Sequence, residues 1–403
     1  MNIKKKLENN TIDLKADTLD NLHKTINKWL YLKDERTIDV LLALYVANLI
    51  PGDPVWLFYV SPPGGTKTAL LQAMKNKETI EVSNVTENTF LSGKITNSKK
   101  DPSLIKKIER EHKKMLFMKD FTSVMSQRKE SMAIILAQLR EIYDGDITKS
   151  YGTGKTITWK GKLGFIAGVT NVIDAHYGIM NSLGGRFIQW RPEHNRRKER
   201  AKAIENSGSE TQQRKELGRS TEQILNELRK KISNKNIYNQ ISDNIDNIFV
   251  GDVAEYTAVL RTHVNRDYRT MEIKNYPHPE IATRLGKNFK QFLIGLMMVR
   301  NKFEVTEQER DLLRKVARDT VPEKRNKIIK ILYESNESIK TSDVASKINI
   351  PTRTARYCLE DVTALGFIKR TSGGGQGKAD LWGLSNECRK IINDTNLLKK
   401  NDQ

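Results

Sequence analysis

The sequence predicts a mixed α/β protein made of a parallel α/β domain, an all-helical region and a small C-terminal domain. Three observations predict it. Short β-branched and aromatic runs alternate with amphipathic stretches over residues 51–192, the alternation that gives a mostly parallel sheet covered by helices. The strand signals stop over residues 193–321, where charge-rich and amphipathic segments follow one another. From residue 322 three short helix patterns lead into two strand-like runs around a glycine-rich tip. A chain of 403 residues suits two to four domains.

The elements follow in order. Residues 1–50 read as an N-terminal helical segment, polar up to residue 35. Val40, Leu41, Ala43, Leu44, Ala47 and Leu49 then recur at helical spacing. Pro51-Gly52-Asp53-Pro54 stops that helix. Val55–Val60 is a buried strand, and Thr79–Val82, Met115–Met118 and Leu163–Val169 are the other strand candidates. Ser131–Tyr143 is an amphipathic helix. Glu193–Lys235 is rich in charge and reads as solvated helix, whereas Ile281–Val299 and Glu307–Ala317 read as packed helices. Residues 193–321 are therefore expected to form one helical subdomain.

Over 322–390 the helices are Lys324–Ser335, Thr341–Ile348 and Pro351–Leu365, the last with proline at its first position. Gly366–Arg370 and Ala379–Gly383 are strands around the Gly373–Gly377 tip. Val344, Ala345, Ile348, Ile350, Leu359, Val362 and Leu365 supply the core. Three helices and a hairpin make a winged helix-turn-helix, followed by a flexible tail at 391–403.

Charge narrows the partners. Lys and Arg total 69 against 49 Asp and Glu, a net charge of +20. Such an excess favours polyanions, nucleic acid first. An aromatic fraction of 7% argues against a long base-stacking platform and for backbone contact by cations. No apolar run is long enough for a bilayer span, so no membrane partner is expected. The basic N-terminus lacks an apolar signal core. Cys358 and Cys388 have no metal-like spacing and make no disulfide framework. A reducing, cytoplasmic setting is expected. The six histidines are scattered, and none reads as a metal ligand.

The strongest chemical signal follows the first strand. Ser61-Pro62-Pro63-Gly64-Gly65-Thr66-Lys67-Thr68 leads straight into helical Ala69–Met74. Phosphate needs inward-facing backbone N–H groups, which glycines permit at close range, and a helix start adds a favourable dipole. Pro63, Gly64, Gly65, Thr66, Lys67 and Thr68 are the ATP-binding candidates. Lys67 would reach the β- and γ-phosphates and Thr68 would hold Mg²⁺. Ser61 and Thr66 stand where a P-loop usually carries its two glycines. An acidic residue is expected at the end of a neighbouring strand. Met115–Phe121 supplies Asp120, a candidate for polarising water and holding the metal, but puts Lys119 where a metal-binding aspartate would stand.

This order of parts resembles the AAA+ ATPases, above all the minichromosome-maintenance-type helicases and the self-loading replication helicases of phages and mobile elements. There the loop likewise carries a small residue before the lysine, and the strand after it continues Asp-Glu-Phe against Lys119-Asp120-Phe121 here. By that resemblance Asp120 takes the catalytic glutamate's place. The basic, glycine-rich stretch Lys149–Gly161 matches the hairpin that projects into the central pore and touches DNA, with Lys155 the tip candidate and Lys149 and Lys160 beside it. Thr170 and Asn171 resemble sensor 1, which orients the attacking water. Arg186, in Leu183-Gly184-Gly185-Arg186-Phe187, resembles the arginine finger that reaches a neighbouring subunit's γ-phosphate. Arg284 resembles the sensor 2 lid arginine. The resemblance covers residues 38–320. It implies an ATP- and Mg²⁺-dependent DNA translocase or helicase that works as a homo-oligomeric ring, hexameric in the family. An ATP-binding initiator or loader with little turnover is the alternative, which Lys119 favours. The C-terminal domain reads as a DNA reader or a protein-docking module; for DNA, Arg353 and Arg356 of the third helix, and Lys369, Arg370 and Lys378 around the wing, are the candidates.

Overall fold

The computed structural model describes residues 17–95, 101–176, 178, 183–335, 337–372 and 379–398. These form two compact units. The first takes its residues from 1–170, 190–245 and 291–309, the second from 171–189, 246–290 and 310–403.

In the first unit α1 (Asp17–Trp29) and α2 (Arg36–Leu49) precede β1 (Trp56–Val60). Every residue of α2 from Thr37 to Asn48 is buried, as suits a helix that is apolar around most of its circumference. The chain continues through α3 (Lys67–Ala73), β2 (Thr79–Val82), α4 (Leu104–Arg110), β3 (Met115–Met118), α5 (Thr122–Met125) and α6 (Lys129–Asp144). Gly145 ends α6 at φ 76°, the left-handed cap that glycine adopts without steric cost. An antiparallel hairpin of β4 (Asp146–Ser150) and β5 (Thr156–Lys160) follows. Ile147, Ile157 and Trp159 are buried along it, and polar residues alternate outward. Then comes β6 (Gly164–Val169), whereas β7 (Phe187–Trp190) takes all but Trp190 from the second unit.

The main sheet runs in the order β2-β3-β6-β1-β7. The pairs β2–β3, β3–β6 and β6–β1 are parallel. β1, β3 and β6 are buried throughout, the pattern of parallel strands covered on both faces. The four expected strands thus lie where the sequence put them, to within a residue.

The helices α7 (Arg196–Glu205), α8 (Glu210–Ile232) and α9 (Lys235–Asp243) belong to the first unit, and α10 (Asn247–Leu260) to the second. α11 (Thr283–Arg300) and α12 (Glu307–Thr320) follow. Residues 193–321 are therefore divided between the two units rather than gathered in one subdomain. The reason is local. α8 buries Leu217, Thr221, Ile224, Leu225 and Leu228 and packs on α1 and on α3, the helix that follows the glycine loop. An apolar face settles where it is covered, whatever its neighbours in sequence.

In the second unit α13 (Glu323–Glu334), β8 (Ile339–Lys340), α14 (Thr341–Ile348), α15 (Thr352–Ala364), β9 (Ile368–Thr371), β10 (Leu381–Leu384) and α16 (Asn386–Thr395) close the chain. The three strands form an antiparallel sheet in the order β8-β10-β9. Val344, Ala345, Leu359, Val362 and Leu365 are buried, while Ile348 and Ile350 are half-buried. The expected tail from residue 391 is corrected over its first part. α16 runs through Thr395 and buries Cys388, Ile391, Ile392 and Thr395, an i, i+3, i+4, i+7 stripe that packs on α10. The Ser385 hydroxyl caps it by accepting from the Cys388 N–H. Among the described residues no helix is long and apolar enough to cross a membrane.

Candidate functional site

The sheet topology fixes where a ligand can sit. From β1 the chain crosses to the far edge at β2, returns through β3 and β6, and then passes to β7 on the other side of β1. In open parallel sheets the crevice at the carboxyl ends, where the order reverses, is the binding place. The ends of β1, β6 and β3 lie side by side there, with Val60 opposite Val169 and Met118 opposite Ala167. They carry the Ser61–Thr68 loop, Thr170 and Asp120 respectively.

The Ser61 N–H donates to Val169 O at 3.0 Å, so the loop leaves from the sheet edge. Gly64 sits at φ 76°. A Cβ at Gly65 would run into the Ser61 hydroxyl and come within 3.2 Å of Pro62 O, so the tight turn needs glycine there. Thr66 Oγ1 lies 3.2 Å from the Tyr59 hydroxyl. Lys67 opens α3 and is only 8% exposed. Its ammonium donates to Ser61 O, and to Pro62 O at 2.9 Å. Burial pushes its pKa below the ordinary lysine value, against the opposing charge of Asp120. Pro63, Gly64 and Thr68 are exposed.

Asp120 is exposed, and its Oδ1 accepts the Thr122 N–H at 2.9 Å. The Thr170 hydroxyl stands 3.4 Å from that of Thr122. Asn171 is exposed at the start of a 3-10 turn, Asn171–Asp174. The end of β6 is pressed against the β3–α5 connection. Phe121 N–H donates to Gly168 O at 2.7 Å, and a Cβ at Gly168 would collide with the Lys119 carbonyl.

Lys119 has a partner that sequence reasoning missed. Its ammonium lies 2.7 Å from a Glu81 carboxylate oxygen, and Lys75 pairs with the other oxygen. Burial alone would raise the Glu81 pKa, but hydrogen bonds from Lys119 and Lys75 outweigh it and hold it low. Glu81 lies on β2, beside β3. Position 119 is thus committed to a neighbouring strand.

A cavity of about 630 Å³ opens on the loop, lined by Pro62, Pro63, Gly64 and Gly65 and by Arg196, Glu199, Arg200, Ala203 and Ile204 of α7. The size suits a small-molecule ligand. Arg196 and Arg200 were not anticipated, because the segment reads as solvated all round. The residues present fit a nucleotide: a cavity of ligand size, a glycine turn, a phosphate-type lysine and the buried Ser61 hydroxyl, which has no hydrogen-bond partner among the described residues. For Mg²⁺ the chain offers the Asp120 carboxylate and the Thr68 hydroxyl. That set fits an ion whose other ligands are phosphate oxygens and water.

Arg186 and Arg284 both bond the backbone of the Leu183–Gly184 turn in the second unit. Arg186 is 7% exposed and donates to Leu183 O at 2.8 Å. Arg284 donates to Gly184 O at 2.7 Å. Gly184 and Gly185 turn at φ 57° and 64°, and this left-handed turn brings Arg186 inward.

In the β4–β5 hairpin the tip is Gly152-Thr153-Gly154, and Lys155 stands beside it. Its ammonium bonds Ser92 O at 2.7 Å and pairs with Asp101 at 2.8 Å. The ammonium of Lys149 lies 5.4 Å from the centre of the Tyr151 ring. Lys160 is the most open of the three, 81% exposed opposite Asp146.

On α15, Arg353 and Arg356 are exposed. Arg353 donates to the Tyr357 hydroxyl at 2.7 Å and Arg356 to Glu360 at 2.8 Å. On β9, Lys369 is exposed and Arg370 pairs with Asp380 at 2.8 Å. Lys378 and the glycine-rich tip lie outside the described residues. A family model described as FaeA-like protein matches residues 324–386, the segment from α13 to the start of α16. A search of curated proteins found no match.

Proposed function

We propose that the chain is an ATP-dependent DNA translocase or helicase of the AAA+ type, acting as a homo-oligomeric ring in the replication of a phage or mobile element. The observation that carries this reading is the juxtaposition at the sheet's carboxyl edge of the glycine loop with Lys67, of Asp120 and of Thr170. Lys67 would leave the loop carbonyls for the β- and γ-phosphates. Asp120 and Thr68 would hold Mg²⁺, which neutralises phosphate charge when bound. Thr170, with Asn171 next to it, would position the attacking water. Arg196 and Arg200 add cationic donors on the open side of the cavity.

Residues 322–390 are read as a winged helix, with α14 and α15 as the helix-turn-helix and β9–β10 as the wing. The arrangement of these elements and the FaeA-like match over 324–386 support that reading. The excess of 69 basic over 49 acidic residues suits a DNA partner. The alternative, a nucleotide-controlled initiator or loader with little turnover, is favoured by one observation. Lys119 is held by Glu81 where a second metal-binding carboxylate is expected.

Hydrolysis assays separate the two. ATP turnover by the full chain, measured with and without single-stranded DNA, is expected to rise when DNA is added. Tight ATP binding without turnover in either case would remove the motor reading and leave the switch.

A further inference from the structure

Residues 265–274 form a short hairpin in the second unit that no sequence motif announced. Lys274 N–H donates to Asn265 O at 2.9 Å and Asp267 N–H to Glu272 O at 2.8 Å. The Asp267 carboxylate closes the turn by accepting the N–H groups of Arg269 at 2.7 Å and Thr270 at 3.0 Å. Backbone and side chain thus fix the tip without a core of its own. That tip holds Tyr268 84% exposed, with the Arg269 guanidinium 5.9 Å from its ring centre.

The base of the hairpin is bolted to α15. Arg266 donates from Nε to Asp361 at 2.8 Å and from Nη2 to Tyr357 O at 2.9 Å, and its guanidinium covers the Tyr357 ring at 4.9 Å. Hairpin and helix also line one groove of about 850 Å³, with Arg353 and Arg356 on one side and Arg370 at the wing. Its lining also includes Met271, Ile273, Glu272 and Glu360, and of its arginines Arg356 pairs with Glu360 and Arg370 with Asp380.

We propose that this hairpin is a second DNA-contacting arm of the C-terminal domain, an inference that rests on reading that domain as DNA-binding. A duplex that meets the first turns of α15 would lie along the groove, and its backbone would reach Tyr268 and Arg269. The chemistry fits phosphate. A guanidinium fork and a tyrosine hydroxyl on a rigid support donate to phosphate oxygens and lose little freedom in doing so. Contacts of this kind fix the register on DNA and carry no base preference.

The test uses the full chain and a labelled mixed-sequence duplex, with Kd measured by anisotropy over a salt series. Tyr268→Ala combined with Arg269→Ala is expected to raise Kd roughly tenfold and to lower the salt slope by about 1, with thermal unfolding unchanged. Arg269→Lys, which keeps the charge, is expected to recover part of the loss. Should Arg353→Ala with Arg356→Ala weaken binding while the hairpin variant keeps the wild-type Kd and slope, the arm is overturned and the DNA reading stands. Absence of DNA binding by the wild type overturns both. Loss of binding to another protein, with DNA affinity intact, also overturns the arm.

Discussion

Lys67→Ala is expected to abolish ATP binding, with a loss of at least about a hundredfold in affinity, or roughly 2.7 kcal/mol. The side chain is nearly buried and its ammonium rests on the Ser61 and Pro62 carbonyls. It is therefore already inside the loop that would hold the phosphates. A charge-assisted bond from a partly desolvated ammonium to a polyphosphate is among the stronger single contacts a site can offer. Alanine keeps α3, since no residue has higher helix propensity. The unfolding temperature is expected to stay close to wild type because the buried charge, a cost in itself, goes with its bonds. Equilibrium titration of the variant checks this, and unchanged ATP affinity would refute the P-loop assignment.

Glu309→Gln is expected to have the largest effect on stability, about 3 kcal/mol at neutral pH. The Glu309 side chain is fully buried, with Arg300 Nη1 at 2.7 Å, Lys302 Nζ at 2.9 Å and the Thr306 N–H at 3.1 Å. Arg300 also holds Asp39, at 2.6 Å and 2.8 Å, so two segments of the first unit depend on it. Burial would raise the carboxyl pKa, but the bonds from Thr306, Arg300 and Lys302 prevail and bring it from 4.5 to about 2. That shift corresponds to roughly 3 kcal/mol. Because the folded-state pKa is depressed, the contribution is complete above pH 4.5 and is lost as pH falls towards about 2. Denaturant unfolding of both proteins at neutral and at acidic pH checks this. The gap should narrow on acidification, and a gap that stays constant would contradict it.

What the sequence revealed follows from how local each signal is. Val55–Val60, Met115–Met118 and Leu163–Val169 were legible because continuous apolar runs bounded by turn formers and charge have few other folds open to them. The glycine loop was legible because its residues act through their own backbone. The Lys119–Glu81 pair was not, since it depends on β2 and β3 being neighbours, and strand order is written in no single segment. Arg196 and Arg200 were hidden in a stretch polar on every side, where periodicity carries no signal. Burial of Arg186 follows from two left-handed glycines, Gly184 and Gly185, which redirect the chain without changing its composition. The stripe Cys388, Ile391, Ile392 and Thr395 was present to be read, but a short amphipathic repeat near a charged terminus resembles a tail until α10 is seen to cover it.

The measurement closest to the central claim is a calorimetric titration of the folded full chain with ATP and, separately, with adenosine. Saturable binding of ATP, with adenosine far weaker, is the predicted result, because in the proposed site the glycine loop, Lys67 and the α7 arginines would address phosphate. A folded chain that binds neither, or binds adenosine as well as ATP, would contradict a phosphate site at the carboxyl edge of the sheet.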